Sequence, residues 1–350
     1  MAEREGFEPS IRFCRILTFQ ASAFDHSATA PHESMPGTRA PNALPRAAQA
    51  IAWGPGVMQS AVMTIALLLA ALLAQASPSP APAVQPGDPL PGDWIAVPDD
   101  ELLVFTLANG RTVTLRLAPG QAPVHVANIR ALARAHWWDA GTSVYRVQEN
   151  YVAQWGDATE KKPLPSGIIA NPPAEYDRAG MSAVARLSKA DPYSTWDGYS
   201  RDGWPLAGNA TREWIPHCYG MVGVARDLAP STGTGAELYT LIGHSPRGLD
   251  RNVAIVGRVV DGMDALSTLP RGTGDLGFYK DEGQRVPIVS ARLVSDMPAA
   301  ERPHFQYRET VSPRFAAWIK GRENRKNDFF TVPAGGVDIC AALPPVRKTP

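Results

Sequence analysis

Thirteen residues, Tyr145-Arg-Val-Gln-Glu-Asn-Tyr-Val-Ala-Gln-Trp-Gly-Asp157, constrain this chain most, because they set one guanidinium and one carboxamide among apolar and aromatic groups. Taken alone, Arg146 reads as a surface residue of a strand. Gln154, by its alternation with Tyr145, Val147 and Ala153, reads equally well as a buried structural amide. What surrounds them decides between a structural and a functional pair.

From Glu101 to Ser295 the pattern is one of short strands. Leu102–Leu107 and Thr112–Leu117 flank Asn109-Gly110, a dipeptide that readily takes a positive-φ turn, so the two segments predict a hairpin. After Pro119 and Pro123, Val124–His136 carries apolar residues at helical spacing. Residues 253–260 and Val286–Val294 alternate Val and Ile like the late strands of a barrel, with a short helix over Met263–Leu269 between them. Closing a barrel removes the exposed edges that an all-β domain must otherwise protect. Residues 158–219 form a long intervening segment with Trp196, Trp204 and Trp214 among Gly, Asp, Pro and Ser. Loops of that length are functional or packed on themselves. The three indoles form either a peptide-docking surface or a local mini-core, and the second is preferred because tryptophans more often bury area than await ligands. Residues 77–98 carry Pro every few positions and read as an extended linker. In the tail, residues 296–350, Ser312-Pro313 is a good helix start.

The run from Tyr145 resembles the signature strand of cyclophilin-type peptidyl-prolyl isomerases, roughly Phe-His-Arg, two aliphatics, Pro-Gly-Phe-Met-x-Gln-Gly-Gly-Asp. Laid on this chain without gaps, it matches Arg146, Tyr151, Gln154, Gly156 and Asp157 to its Arg, Phe, Gln, second Gly and Asp. Gly220–Arg226 with Thr234–Leu241 is similar to the family's Gly-x-x-x-Met-Ala-Asn and Asn-Gly-Ser-Gln-Phe-Phe-Ile strands. Leu249–Met263 is similar to its closing Leu-Asp, Val-Phe-Gly-x-Val and Gly-Met stretch. The resemblance implies a mainly β fold: a closed eight-stranded antiparallel cyclophilin-like barrel over 99–295, two or so flanking helices, an insertion at 158–219 and a C-terminal extension with one short helix.

It also implies a peptidyl-prolyl isomerase acting on proline-containing polypeptides without a cofactor. Arg146 is then the donor to the twisted amide, Gln154 binds the substrate backbone, and Tyr151, Val152, Tyr239 and Leu249 map onto the apolar proline pocket. Ala225 and Arg226 fall in the peptide-contacting strand, Arg226 in place of Asn. Glu237 stands where the family has Gln, an acceptor-only group in place of one that also donates; it either orients or quenches Arg146. Gly248 and Val253 fall where many members carry Trp and His. These departures support a second reading, a weak or inactive peptide-binding or chaperone module on the same barrel.

Residues 61–74 form an apolar run too short for the roughly 20 residues of a bilayer crossing. Ala74-Gln-Ala76 follows it, a small-x-small pattern of the kind signal peptidases cut after. The expectation is export to the periplasm, with a signal peptide at 58–76, an upstream stretch at 1–57 foreign to the mature protein, and translation starting at Met58 or Met63. An N-terminal membrane anchor is the alternative. Balanced formal charge, with 34 basic and 34 acidic residues, argues against a nucleic-acid partner, and a monomer is expected. The three cysteines lack metal-ligand spacing. In an oxidising compartment Cys218 and Cys340 can pair. His217 beside Cys218 is set aside as a dyad, since neighbours on a strand face opposite ways. A hydrolase is unsupported without a Gly-x-Ser-x-Gly elbow, and nucleotide binding without a phosphate loop.

Overall fold

The structure, a computed structural model, describes residues 87–244 and 246–349. The segments at 1–57 and 58–76 lie outside the described residues. In chain order the strands begin with β1 (Trp94–Ala96), β2 (Leu102–Leu107) and β3 (Thr112–Leu117), followed by helix α1 (Pro123–Arg134) and then β4 (Ser143–Val147) and β5 (Val152–Gly156). Five short strands come next: β6 (Arg178–Ala179), β7 (Ala185–Arg186), β8 (Trp196–Tyr199), β9 (Pro205–Gly208) and β10 (Arg212–Trp214). The chain continues through β11 (Met221–Val224), β12 (Leu238–Leu241), β13 (Ile255–Asp261), helix α2 (Met263–Ser267) and β14 (Val286–Leu293). It ends with β15 (His304–Arg308), helix α3 (Pro313–Glu323) and β16 (Val346–Thr349).

Eight of these strands close an antiparallel barrel in the order β11-β12-β5-β4-β14-β2-β3-β13, with β13 returning to β11. The expected hairpin is β2–β3, and its turn places Gly110 at φ +81°, a conformation that glycine adopts without steric cost. Leu103, Phe105, Leu115, Val147, Ala153, Trp155, Val222 and Leu293 belong to one apolar cluster with the inner faces of α1 and α2. Glu175, from the segment after β5, accepts hydrogen bonds from the Val124 and His125 backbone N–H groups at 2.9 and 3.0 Å, so a carboxylate closes the N-terminal end of α1.

The long segment is more than a loop with a private core. Its strands form a five-stranded sheet, β6-β10-β9-β8-β7. Trp196, Tyr199, Trp204 and Leu206 join a second apolar cluster with Val152, Tyr239, Leu241 and Ile255 of the barrel and with Phe315, Ile319 and Ile339 of the tail. The preference for burial of the three indoles holds, but the core to which Trp196 and Trp204 contribute is shared among three parts of the chain. Arg116 on β3 reinforces this junction: its guanidinium lies 4.8 Å from the Trp204 ring and 4.2 Å from that of Tyr307, and its Nε donates to Glu101 at 3.3 Å.

The tail also differs from a lone helix. The predicted α3 is present, with the Ser312 hydroxyl accepting from the Phe315 N–H at 3.2 Å and Pro313 in the first turn. Beside it, β15 pairs with β16 on one side and with β1 on the other. The stretch read as a linker therefore ends in a strand, because Trp94–Ala96 find a partner edge that only the tail supplies. Cys218, just before β11, is disulfide-bonded to Cys340, 122 residues away. Cross-linking so long a loop removes much conformational freedom from the unfolded chain. Cys340→Ser is expected to lower unfolding free energy by about 2–5 kcal/mol, measured by urea denaturation, with the reduced parent protein matching the variant.

Candidate active site

The site is built on three neighbouring barrel strands. Arg146 on β4 is opposite Gln154 on β5, and Gln154 is opposite Tyr239 on β12, which in turn pairs with Gly223 on β11. Directly opposed residues in a sheet share a face, so the guanidinium, the carboxamide and the phenol form one row. Gly223 leaves room for the row to continue, since a Cβ there would collide with the Tyr239 hydroxyl.

A register shift lies between Val144 and Arg146. Val144 opposes Trp155 and Arg146 opposes Gln154, which leaves Tyr145 as an extra residue in β4. Such a bulge re-aims side chains. Val144 and Val147 remain in the interior cluster, while Tyr145 and Arg146, adjacent in sequence, both bond to Gln154. Simple alternation would have sent one of them to the opposite face.

Arg146 is 1 % exposed. Its Nε donates to the Leu276 carbonyl at 2.8 Å, Nη1 to Gln154 Oε1 at 3.0 Å and Nη2 to Gln148 Oε1 at 2.5 Å. The rings of Tyr151 and Phe278 lie 5.7 and 5.2 Å from Cζ. A cation removed from bulk water and held by fixed acceptors acts on a nearby group more strongly than an exposed one. Gln154 is buried as well, and its Nε2 donates to the Tyr145 hydroxyl at 2.6 Å.

Glu237, two residues before Tyr239, accepts from the Tyr145 hydroxyl at 2.8 Å and from the Asp157 N–H at 2.7 Å. Gly156 permits this approach: it sits at φ +149°, and a Cβ would occupy the position of the carboxylate. Burial pushes Glu237 up to about 7, against the lowering effect of those two hydrogen bonds. Hydrogen bonds connect Glu237 to Arg146 through two side chains, Tyr145 and Gln154.

The apolar side of the site has Tyr151 half-buried and Val152 and Tyr239 buried. Ala225 and Val253 are partly buried and packed against the same cluster. Burial pushes the Tyr151 hydroxyl up to about 12. Arg226 is held by other partners: its Nε donates to the Asn252 carbonyl at 3.0 Å, its Nη1 to that of Asp227 at 2.8 Å, and its Cζ lies 5.6 Å from the Tyr176 ring.

A buried histidine reaches Tyr239 from another part of the chain. His217 lies in the irregular segment between β10 and β11 and forms no dyad with Cys218, whose sulfur is taken up in the disulfide; its ring goes to Tyr239 instead. Its ring stacks on that of Tyr239 at 6.5 Å, and Nε2 is 3.1 Å from the Tyr239 hydroxyl. The other ring nitrogen meets Asp250 at 2.9 Å.

Asp250 also accepts from the His217 N–H at 2.9 Å, Trp214 Nε1 at 3.0 Å and Arg247 Nε at 2.6 Å. Arg247 is further paired with Asp191. This one carboxylate therefore ties the inserted sheet to the turn that carries half-buried Leu249. Burial acts to raise its pKa, but the bonds from His217 and the Arg247 charge prevail and hold it below the ordinary aspartate value. Gly248, at the usual Trp position, is exposed and lines an open cleft with Tyr193 and Trp214.

The barrel that carries this row coincides with a known family. The model for the cyclophilin type peptidyl-prolyl cis-trans isomerase/CLD matches residues 102–293, from the first residue of β2 to the last of β14. The chain belongs to that family. It is 26 % identical over 203 residues to the probable peptidyl-prolyl cis-trans isomerases of Brucella suis and Brucella melitensis, a span of 57 % of this chain and 86 % of each of those. It is similar also to a crystal structure of the cyclophilin AquaCyp293 from Hirschia baltica, with a TM-score of 0.58 and 26 % identity over 74 % of this chain and 94 % of that one. These likenesses favour the enzymatic reading over the inactive binding module.

Removing the shared carboxylate strands several buried donors. Asp250→Ala is expected to cost about 3–5 kcal/mol of stability, read as a lowered urea midpoint. The contribution of Asp250 is present above the ordinary aspartate pKa and is lost as pH falls through its depressed value, so the difference between parent and variant narrows in acid.

Proposed function

We propose that this protein accelerates rotation about X-Pro bonds during the folding of exported proteins, with Arg146 stabilising the twisted amide. The observation that carries the reading is the row Arg146–Gln154–Tyr239 across β4, β5 and β12. The barrier to rotation about a peptide bond is about 18–20 kcal/mol, and no covalent step is needed to lower it. Twisting the bond breaks amide resonance and returns a lone pair to the prolyl nitrogen. A fixed cationic donor beside that nitrogen favours the twisted form over the planar one.

Arg146 suits this task because its orientation is set by Leu276, Gln148 and Gln154 before substrate arrives. Gln154 holds the substrate backbone in register. Tyr151, Val152, Tyr239 and Leu249 receive the proline ring, with His217 steadying the Tyr239 phenol, and the main chain at Ala225 and Arg226 lines the approach of the peptide. Each of these groups binds or orients; none accepts a proton from the substrate.

Export is supported by the apolar run at 61–74 with Ala74-Gln-Ala76 behind it, and by the Cys218–Cys340 disulfide, a bond that persists in oxidising compartments. Among the described residues no helix is long and apolar enough to cross a membrane. Cell fractionation with N-terminal sequencing tests the location: a periplasmic species beginning just after Ala76 is expected, and a cytoplasmic chain retaining residues 58–76 would refute export.

The activity is tested with X-Pro peptides in a proline-isomerisation assay. Arg146→Ala is expected to lower kcat/KM by about 100-fold or more, as loss of an electrostatic transition-state donor does elsewhere, with its urea midpoint reported alongside. A folded Arg146→Ala variant as active as the parent would remove Arg146 from the mechanism.

A further inference from the structure

Arg146, Gln154, Tyr145 and Glu237 are joined in single file by hydrogen bonds that have a direction. Arg146 Nη1–H donates to Gln154 Oε1 at 3.0 Å, Gln154 Nε2–H to the Tyr145 oxygen at 2.6 Å, and the Tyr145 O–H to Glu237 Oε2 at 2.8 Å. The far carboxylate oxygen, Oε1, accepts from the Asp157 N–H at 2.7 Å. An ionised carboxylate can only accept, and a phenol has one hydrogen to give. With Glu237 ionised, Tyr145 must donate to it and must therefore accept from Gln154. The Gln154 amide is then fixed with its NH2 toward Tyr145 and its carbonyl toward Arg146.

We propose that Glu237 is a positioning residue which, acting through Tyr145, fixes the orientation of the Gln154 amide, so that the isomerase site is correctly assembled only while Glu237 is ionised. This rests on the roles given above to Arg146 and Gln154. Each Glu237 carboxyl oxygen already accepts one hydrogen bond, and the oxygen that takes up a proton becomes a poorer acceptor or a donor. A proton on Oε1 weakens its bond from the Asp157 N–H. A proton on Oε2 meets the Tyr145 oxygen and turns the phenol's hydrogen toward Gln154, whose amide must then flip and present its NH2 to the guanidinium. Two donors facing each other in a buried site is an arrangement that proteins avoid.

The groups that face Glu237 are Tyr145 from β4, with Arg146 beyond it, and Asp157 and Glu160 from the segment after β5. Burial, together with the charges of Asp157 and Glu160, raises Glu237 to about 7 against the bonds from Tyr145 and Asp157. Burial and the neighbouring Glu237 charge hold the Tyr145 hydroxyl well above its ordinary value, so it remains a donor throughout the neutral range. Above about 7 the carboxylate is ionised and the file runs as observed; as pH falls through that value the file is reversed and activity drops.

The test is the pH profile of kcat/KM for the purified protein on an X-Pro peptide with no titrating side chain. It is run beside Glu237→Gln and Tyr145→Phe, with urea midpoints confirming that each variant is folded. The parent is expected to lose about three- to ten-fold on the acidic side, the worth of one misdirected hydrogen bond. Both variants are expected to be lower than the parent at alkaline pH and flat across the range. A glutamine at 237 donates its NH2 to Tyr145 at every pH, and a phenylalanine at 145 breaks the file. An activity-independent readout is the Gln154 side-chain amide resonance in the ligand-free protein, expected to titrate with the same midpoint in the parent and not in Glu237→Gln. A parent profile flat through neutrality, or an inflection and Gln154 titration that persist in Glu237→Gln, would overturn the proposal. Should Arg146→Ala retain full activity, the catalytic reading fails, and the Gln154 titration still decides whether Glu237 sets the amide.

Discussion

The site depends on one irregularity in the pairing of β4 with β5. Where the ladder steps from Val144–Trp155 to Arg146–Gln154, Tyr145 is left over. That single extra residue brings a phenol and a guanidinium, consecutive in the chain, to the same carboxamide. A regular strand would have placed one of them in the barrel interior, among Val144, Val147 and Trp155. The bulge is stable because the phenol finds an acceptor in Glu237, and Glu237 finds space because residue 156 is glycine. Barrel closure, bulge and glycine together position a charge that would be costly to bury without its acceptors.

Around this row the chain adds a layer that a bare barrel lacks. The inserted sheet and the tail cover the outer side of β5, β12 and β13 with a continuous apolar cluster and fasten it in two ways: through Asp250, which collects donors from Trp214, His217 and Arg247, and through the Cys218–Cys340 bond. Val152 and Tyr239, which the proposed function assigns to the proline ring, are therefore also part of a structural core. The Tyr239 backbone is paired within the barrel and its hydroxyl meets His217 Nε2, so both ends of this residue have partners. The same layer borders an open cleft beside Gly248, lined by Tyr193 and Trp214.

Much of this could be read from the sequence because it depends on local chemistry. The Asn109-Gly110 turn, the Ser312-Pro313 helix start and the late Val and Ile alternation all keep their meaning without tertiary context, whereas Arg146 and Gln154 stood out only through the family resemblance. What escaped depends on partners distant in the chain. Strands of two residues, such as Arg178–Ala179 and Ala185–Arg186, are too short to show a period. Trp94–Ala96 became a strand only because the tail offers an edge. His217 forms no dyad with Cys218, as expected, but its segment is irregular and nothing in its neighbourhood announces Tyr239 as its partner. The bulge at Tyr145 is invisible to any reading based on alternation, yet it decides which side chains share the site.

The most direct test of this account is exchange spectroscopy on a labelled X-Pro peptide mixed with the protein, following cis–trans exchange of the peptide and the side-chain resonances of Gln154 and Tyr239 in one experiment. The account predicts exchange far faster than in the free peptide, with perturbations centred on the row from Arg146 to Tyr239. Exchange at the uncatalysed rate, or fast exchange with perturbations confined to other parts of the chain, would contradict it.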